Sequence, residues 1–379
     1  MKIGFDAKRL YCNSTGLGNY SRTLVSNLLL AAPKQKFHLY TPRIEQTTEA
    51  NNFLQNPKLT TYQSKALLTS IWRSFSIRKQ LQLDGIELYH GLSNEIPFGL
   101  QTNNIKSVVT IHDLIFKEYP NTYPVIDRKI YDYKFRKSCQ LADKIIAISE
   151  HTKKDIIKHY DVAPEKIDVI YQACQAAYYQ APQKEFVQEV MSRYQLPSKY
   201  LLFVGSIEKR KNLKTLLAAY EHLSAENCIP LAIVGGRVES TVKDKLLEYS
   251  QSTNLDKKLI WLSGVKDTAE LQAIYLKAQA LIYPSLYEGF GLPVAEALLS
   301  KTPVITSKVS SLPEAGGPAT LYINPHSPKE IAEAITTVLQ NDFKAEEMRT
   351  KGYLYAIDKF SPDKLSAQLL KCYESVLAS

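Results

Sequence analysis

Long apolar runs are missing from this chain: no stretch approaches the roughly 20 consecutive apolar residues that span a bilayer. A signal peptide's apolar core is missing too, because Met1-Lys2-Ile3-Gly4-Phe5-Asp6 moves straight into a strand-like pattern. Cysteine is sparse and unpaired in pattern. Cys12, Cys139, Cys174, Cys228 and Cys372 are scattered, odd in number and without a C-x-x-C. Together these features argue for a cytoplasmic protein with reduced thiols and against a structural zinc site. Zinc-finger spacing, RNP-type motifs and arginine-rich tracts are absent, so nucleic acid does not account for the net charge of +9. An anionic small ligand or an anionic membrane surface suits that charge better, with plain solubility charge as the alternative. No internal repeat or low-complexity tract is visible.

What is present is enough chain for two domains of about 180 residues each. Its 45% hydrophobic and 22% charged residues are those of a folded protein. Short apolar runs at residues 2–5, 37–40, 87–89, 107–110 and 144–148 are separated by helical patterns, such as residues 20–30. The pattern loosens near residues 164–179, and a second series follows at 200–204, 230–234, 259–262, 280–283 and 303–306. Such alternation predicts α/β architecture, with two Rossmann-like lobes of parallel sheet covered by helices on both faces. Residues 1–180 form the first lobe and 190–360 the second, with a linker around residues 175–195. Ligands of doubly wound sheets bind beyond the carboxyl ends of strands, so chemistry is expected just after the apolar runs.

After the run at 280–285 comes Glu288-Gly289-Phe290-Gly291-Leu292-Pro293-Val294-Ala295-Glu296. Two glycines let the loop approach a ligand, and the proline suits a first helical turn, where its missing N–H costs nothing. The unpaired N–H groups of that turn favour an anion. Carboxylates on either side repel phosphate but accept hydrogen bonds from hydroxyls. A phosphate with polyols on both sides, a nucleotide sugar, fits this combination. The alternative is a surface loop and helix with two solvated glutamates.

The segment E-G-F-G-L-P-x-x-E-A resembles the signature of retaining glycosyltransferases of family 4, which have two facing Rossmann-like lobes (the B-type, or GT-B, architecture). The resemblance extends over both lobes. It implies that Glu288 touches hydroxyls of the donor sugar and Glu296 the ribose. The backbone of Gly289, Phe290, Gly291 and Leu292 would hold the diphosphate. It also implies that the last helical stretch, residues 362–378, crosses back to the first lobe, so that 361–379 belong there.

Other segments support the same family. Phe203-Val204-Gly205-Ser206-Ile207-Glu208-Lys209-Arg210-Lys211-Asn212-Leu213 opens from a strand into a loop with adjacent cations. Arg210 and Lys211 would neutralise a leaving diphosphate, where negative charge grows as the glycosidic bond breaks. The family's G-x-x-x-x-R-K-N element has this form, although Ser206 stands where many members carry a further arginine. With these cations, and with no evident D-x-D after a strand, no metal cofactor is expected. In Ile111-His112-Asp113 the resemblance places His112 near the reacting carbon of the donor sugar, while Asp113 either orients the imidazole or caps a helix. Thr15-Gly16-Leu17-Gly18-Asn19-Tyr20 has the place of a dinucleotide fingerprint, but Ser21 replaces the third glycine and residues 38–41 offer no acid for a ribose. The family has here a mobile loop that Gly16 and Gly18 would bring close to the diphosphate; a plain tight turn is the alternative. Val265, after the run at 259–262, is where the family's nucleotide base meets backbone. Finally, residues 67–79 place Leu68, Ile71, Trp72 and Phe75 on one helical face, flanked by Arg73, Arg78 and Lys79, and residues 127–137 form a second basic, aromatic segment. Either rests on its own lobe or on the inner leaflet of a membrane.

The sequence therefore reads as a cytoplasmic, metal-independent hexosyltransferase using a nucleotide-diphosphate sugar, with retention of configuration an implication of the resemblance alone. The mannosyltransferase-like branch that builds bacterial surface polysaccharides is the nearest match, favouring GDP-mannose over UDP-hexoses and a glycan or lipid-linked acceptor. A nucleotide-sugar epimerase or hydrolase of the same fold, and a non-catalytic partner subunit, are the competing readings.

Overall fold

A computed structural model describes residues 1–235, 240–265 and 267–379. The chain divides into two compact units: Met1–Ala173 with Pro362–Ser379, and Cys174–Ser361.

In the first unit seven parallel strands lie in the order β3-β2-β1-β4-β5-β6-β7. They are β1 (Ile3–Asp6), β2 (Phe37–Thr41), β3 (Leu59–Gln63), β4 (Leu88–Gly91), β5 (Lys106–Ile111), β6 (Lys144–Ala147) and β7 (Ile167–Val169). Strands β1 and β4 are buried along their whole length, as expected of a sheet covered on both faces. Side-chain alternation divides the interior: Val108 of β5 and Ile146 of β6 pack in one core, while Val109, Ile111, Ile145 and Ala147 pack in the other. The C-terminal helix Pro362–Ala378 belongs to this unit. Leu365, Leu369, Cys372, Tyr373 and Val376 recur at helical spacing and bury against the core that holds Phe5, Leu28 and Ile146.

The second unit has six parallel strands in the order β10-β9-β8-β11-β12-β13. These are β8 (Leu201–Val204), β9 (Leu231–Val234), β10 (Leu259–Leu262), β11 (Ala280–Tyr283), β12 (Val304–Ser307) and β13 (Leu321–Ile323). Strand order reverses between β8 and β11 here, and between β1 and β4 in the first unit. Doubly wound sheets open a ligand crevice at such points.

Three expectations need correcting. Residues 175–195 are no linker: Ala176–Tyr179 forms a 3₁₀ turn and Lys184–Arg193 a helix, both within the second unit. The stripe of Val187 and Val190 gives that otherwise polar helix a face to bury. Residues 67–79 do not make one amphipathic helix, because a π-helical turn at Trp72–Ser76 separates Thr69–Ile71 from Ile77–Leu83. The extra residue per turn swings Trp72 inward, 6% exposed, while Leu68, Ile71 and Phe75 stay 65, 50 and 49% exposed. Arg73 turns inward as well, its Nη2 lying 2.5 Å from Asp6 Oδ2 and its Nη1 3.1 Å from Glu95 Oε2. The third concerns the segment from Thr15 to Tyr20, of which residues 16–20 are helical rather than a loop. No helix among the described residues is long and apolar enough to cross a membrane.

Candidate active site

The two best sequence motifs sit at the carboxyl ends of β8 and β11, the strands that flank the reversal point. After β8 the backbone turns through Gly205, at φ +152°, and the aliphatic chain of Lys211 passes 3.7 Å from where a Cβ would stand. Lys209–Lys211 form a 3₁₀ turn that ends at Asn212 in the left-handed region. The Asn212 amide donates to Pro284 O at 3.1 Å and Pro325 O at 2.7 Å, which ties this loop to the one after β11. The cations thereby meet Glu288: its Oε1 lies 2.7 Å from Lys211 Nζ and 2.9 Å from Arg210 Nη1. Tyr283, at the end of β11, adds its hydroxyl at 3.1 Å. Arg210 also donates to Tyr287 O at 2.5 Å and to Glu208 Oε1 at 2.6 Å.

Burial alone would raise the Glu288 carboxyl, but the charges of Arg210 and Lys211 outweigh it and hold its pKa down to about 2. Burial pushes the Lys211 ammonium down, with Glu288 opposing, whereas Arg210, despite burial, is held above the usual guanidinium range by Glu288 and Glu208. Two cations and the ionised Glu288 carboxylate therefore share a largely dry site, with the more exposed Glu208 carboxylate on the far side of Arg210. Serines hold the loop in place: Ser310 Oγ accepts from Glu288 N at 2.9 Å, and Ser311 Oγ donates to the carbonyls of Glu288 and Phe290, each at 2.9 Å.

The helix Leu292–Leu299 starts at Gly291, whose φ of +110° and close approach to Leu312 (2.9 Å from a built Cβ) suit glycine alone. Val294 and Ala295 donate the first intrahelical bonds, both to Gly291 O, so the N–H groups of Gly291 and Leu292 have no intrahelical acceptor. Phe290 turns its ring into the interior, edge-on to Phe360 at 5.3 Å, leaving only its backbone for the loop's outer surface. Glu296 is part-buried, one turn into the helix. Burial raises its carboxyl to about 7, against the pull of hydroxyls from Tyr275 (3.2 Å) and Tyr178. Neither tyrosine was singled out in the sequence. Tyr178 comes from the supposed linker, and Tyr275 from a helix whose pattern says only that it is buried. Val265 follows β10, two strands away from β8 in the sheet.

In the first unit His112 follows β5 but does not project freely. It is 4% exposed, with Nε2 2.8 Å from Leu92 O and Nδ1 3.3 Å from the Gln172 amide nitrogen. Asn94, at φ +63°, accepts from the His112 backbone N–H at 2.7 Å. Asp113 Oδ1 accepts from the N–H of Ile115 at 3.1 Å, at the start of the turn Ile115–Glu118. Gly16 and Gly18 lie inside the first turn of the helix Gly16–Ala31, and a short helix, Lys8–Cys12, precedes them. The reason is Asn13, whose Oδ1 accepts from Thr15 N, Thr15 Oγ1 and Gly18 N at 2.9, 2.8 and 3.1 Å, capping a helix that the T-G-L-G-N-Y string disguises as a loop. A Cβ on Gly18 would stand 1.8 Å from Asn13 O, whereas Gly16 has open space around it. Among the described residues one further cluster has metal-ligand types within 4.8 Å of one another, Glu118, Asp155 and His159. Its Glu118 already pairs with Lys158 at 2.5 Å and His159 at 2.8 Å.

Comparisons with known proteins agree with this architecture. Residues 16–175 match the family described as Glycosyltransferase Family 4, and residues 189–355 match Glycosyl transferases group 1. The O-antigen chain mannosyltransferase B of Escherichia coli is 28% identical over 99% of this chain and 100% of its own length. Among solved structures, a glycosyltransferase from Rickettsia africae superposes with a TM-score of 0.77 at 16% identity, over 99% of this chain and 98% of the other. The Anabaena protein HepE, solved with UDP and glucose, gives a TM-score of 0.76 at 14% identity over 99% and 100% of the two chains.

Proposed function

The chain belongs to glycosyltransferase family 4, with two Rossmann-like lobes, and we propose that it moves mannose from a nucleotide-diphosphate sugar, GDP-mannose, onto a lipid-linked glycan, with retention of configuration. The observation that carries this reading is the pairing of Arg210 and Lys211 with Glu288 at the β8/β11 reversal, beside a helix N-terminus. Charge that develops on a departing diphosphate meets two cations and the N–H groups of Gly291 and Leu292, with no metal in the step. Glu288, ionised and already accepting three hydrogen bonds on Oε1, accepts from sugar hydroxyls and positions the donor; it does not attack the anomeric carbon. The departing phosphate then takes the acceptor's proton on the face it leaves. Glu296 and its two tyrosines bind the ribose, and Val265 lies beside the base. The O-antigen relative spans the full length of both chains, which favours mannose and a surface polysaccharide over other hexoses.

The lipid-linked acceptor gives an exposed patch of the first unit a purpose. Leu68, Ile71 and Phe75 are exposed, as are Val125, Ile126, Ile130 and Tyr133 of the helix Val125–Leu141. Phe98 joins the two sets, its ring 5.2 Å from Phe75 and 6.3 Å from Tyr133. Exposed Lys79 and Lys129 flank them. This surface suits the anionic inner leaflet. Vesicles containing phosphatidylglycerol should sediment with the protein, and Ile126→Glu with Ile130→Glu should abolish that; equal sedimentation by the variant would refute the assignment.

The functional test is transfer from GDP-mannose and from UDP-hexoses to a lipid-linked oligosaccharide, with the anomeric configuration of the new linkage read by NMR. Acceptor-dependent transfer of mannose with retention is expected. Sugar release at the same rate without acceptor would instead identify a hydrolase, and an inverted linkage would refute the mechanism.

A further inference from the structure

Lys211 has more donors than the site around it uses. Its ammonium carries three N–H bonds. One meets the Tyr283 hydroxyl at 2.5 Å and one meets Glu288 Oε1 at 2.7 Å. Among the described residues nothing accepts the third. Lys211 is only 8% exposed, so a spare N–H there costs free energy until an acceptor arrives. The site is not sealed, because the side chains of Lys211 and Arg210 keep 11 and 13% of their surface in contact with solvent.

Tyr283 stands in the apolar run of β11, and its ring packs as core, with no exposed surface. Strand pairing sets it opposite Thr306, whose Oγ1 donates to Tyr283 O at 2.7 Å. One ring carbon, Cε2, lies 3.9 Å from where a Cβ on Gly205 would stand, beside the Lys211 chain at 3.7 Å. The hydroxyl is thereby fixed between the ammonium and the carboxylate. Lys211 can only donate, so the hydroxyl accepts from it and gives its own hydrogen to Glu288 Oε1 at 3.1 Å. Burial, reinforced by Glu288, pushes the phenol well above its usual range, so it keeps that hydrogen. The charged groups acting on the ammonium are Glu288, Arg210 and Glu208, and Tyr283 faces it as a neutral partner.

We propose that Tyr283 is a positioning residue: with Glu288 it holds two of the three N–H bonds of Lys211, so that the third is set in advance for an oxygen of the donor's diphosphate. The proposal rests on the nucleotide-sugar reading of this site and deepens it. An ammonium on a flexible four-carbon stem has rotatable donors, and one carboxylate alone would leave two of them loose. Two fixed acceptors stop that rotation. A donor fixed beforehand needs no reorganisation as charge develops on the departing phosphate, so its effect falls on kcat more than on KM. GDP carries the charge of the departed group, and its affinity reads the same contact without turnover.

Tyr283→Phe removes the hydroxyl and keeps the ring, and two arms test the assignment. The first is ¹⁵Nζ NMR of lysine-labelled protein without ligand, the Lys211 signal being identified by its loss in Lys211→Arg. Wild type should show slow ammonium rotation and slow hydrogen exchange, and Tyr283→Phe should speed both. Equal rates in the two proteins would overturn the hold ascribed to Tyr283. In the second arm, calorimetry gives GDP affinity for wild type, Tyr283→Phe, Lys211→Ala and the double variant. Tyr283→Phe should weaken GDP roughly 10-fold in the wild-type background and hardly at all beside Lys211→Ala, with turnover falling in kcat rather than KM. Equal losses in the two backgrounds would mean that the hydroxyl does not act through Lys211, and would overturn the proposal. If neither GDP nor UDP binds wild type, the nucleotide-sugar reading itself fails, while the NMR arm still decides whether Tyr283 holds Lys211.

Discussion

Replacing Glu288 by glutamine keeps the size and an acceptor oxygen but removes the charge that offsets Arg210 and Lys211. The fall of the Glu288 pKa from an ordinary 4.5 to about 2 corresponds to about 3 kcal/mol of folding stability by linkage. Leaving Lys211 without its carboxylate, and Arg210 with Glu208 alone, in a buried site points the same way. The second unit spans Cys174–Ser361, and for a body of that size about 3 kcal/mol lowers the transition temperature by roughly 6–12 °C. The sign of the pH dependence follows from a depressed carboxyl. Its contribution is fully present above pH 4.5 and is lost as pH falls through about 2. The gap between wild type and Glu288→Gln should thus be constant from pH 8 down to about 5 and narrow below that. Differential scanning calorimetry across that range reads it directly, and turnover with the donor should fall sharply in the same variant. A loss under about 2 °C at pH 7, or a gap that widens on acidification, would refute the argument that these charges hold the site together; near-normal turnover would remove Glu288 from the mechanism.

Lys211→Ala should weaken both donor affinity and rate, since in the proposed mechanism its ammonium serves bound diphosphate and departing charge alike; calorimetric titration with GDP and steady-state kinetics separate the two, and unchanged values of both would contradict the role. Glu296 has a raised carboxyl, about 7, so its cost is absent below pH 4.5 and grows as pH rises to about 7. Urea unfolding should show wild type losing stability across that window and Glu296→Gln losing less, together with weaker nucleotide binding. Gly18→Ala places a methyl against Asn13 O and should cost about 1–3 kcal/mol or more, whereas Gly16→Ala, in open space at a helix start, should be neutral or stabilising by up to about 1 kcal/mol; thermal melts of the pair decide it.

The sheets and their strand-end motifs were legible because a fully buried parallel strand is a short apolar run closed by glycine, proline or a polar loop. The half-exposed edge strands β3, β7 and β13 lack that contrast, and none of them was anticipated. Glu288, Arg210 and Lys211 could each be named from local strings, yet their mutual ion pairs depend on Asn212 bridging two loops, a long-range contact that no local pattern carries. The same holds for Gln172 at His112 and for Tyr178 at Glu296. Asn13 was missed for a different reason: a side-chain cap can start a helix inside a glycine-rich string, where propensity argues for a turn. Arg73 misled because basic residues near exposed leucines suggest a lipid-facing flank, whereas the buried Asp6 at the end of β1 draws its guanidinium inward.

The central claim is that the β8/β11 reversal point binds a nucleoside diphosphate through Arg210 and Lys211. Thermal-shift titration of wild type and Lys211→Ala with GDP, UDP and ADP, in a chelator-containing buffer, tests it most directly, because selective binding stabilises the folded state in step with occupancy. The account predicts a saturable upward shift with one nucleotide, GDP before UDP, that is strongly reduced in Lys211→Ala. No shift with any nucleotide, or an identical shift in the two proteins, would contradict it.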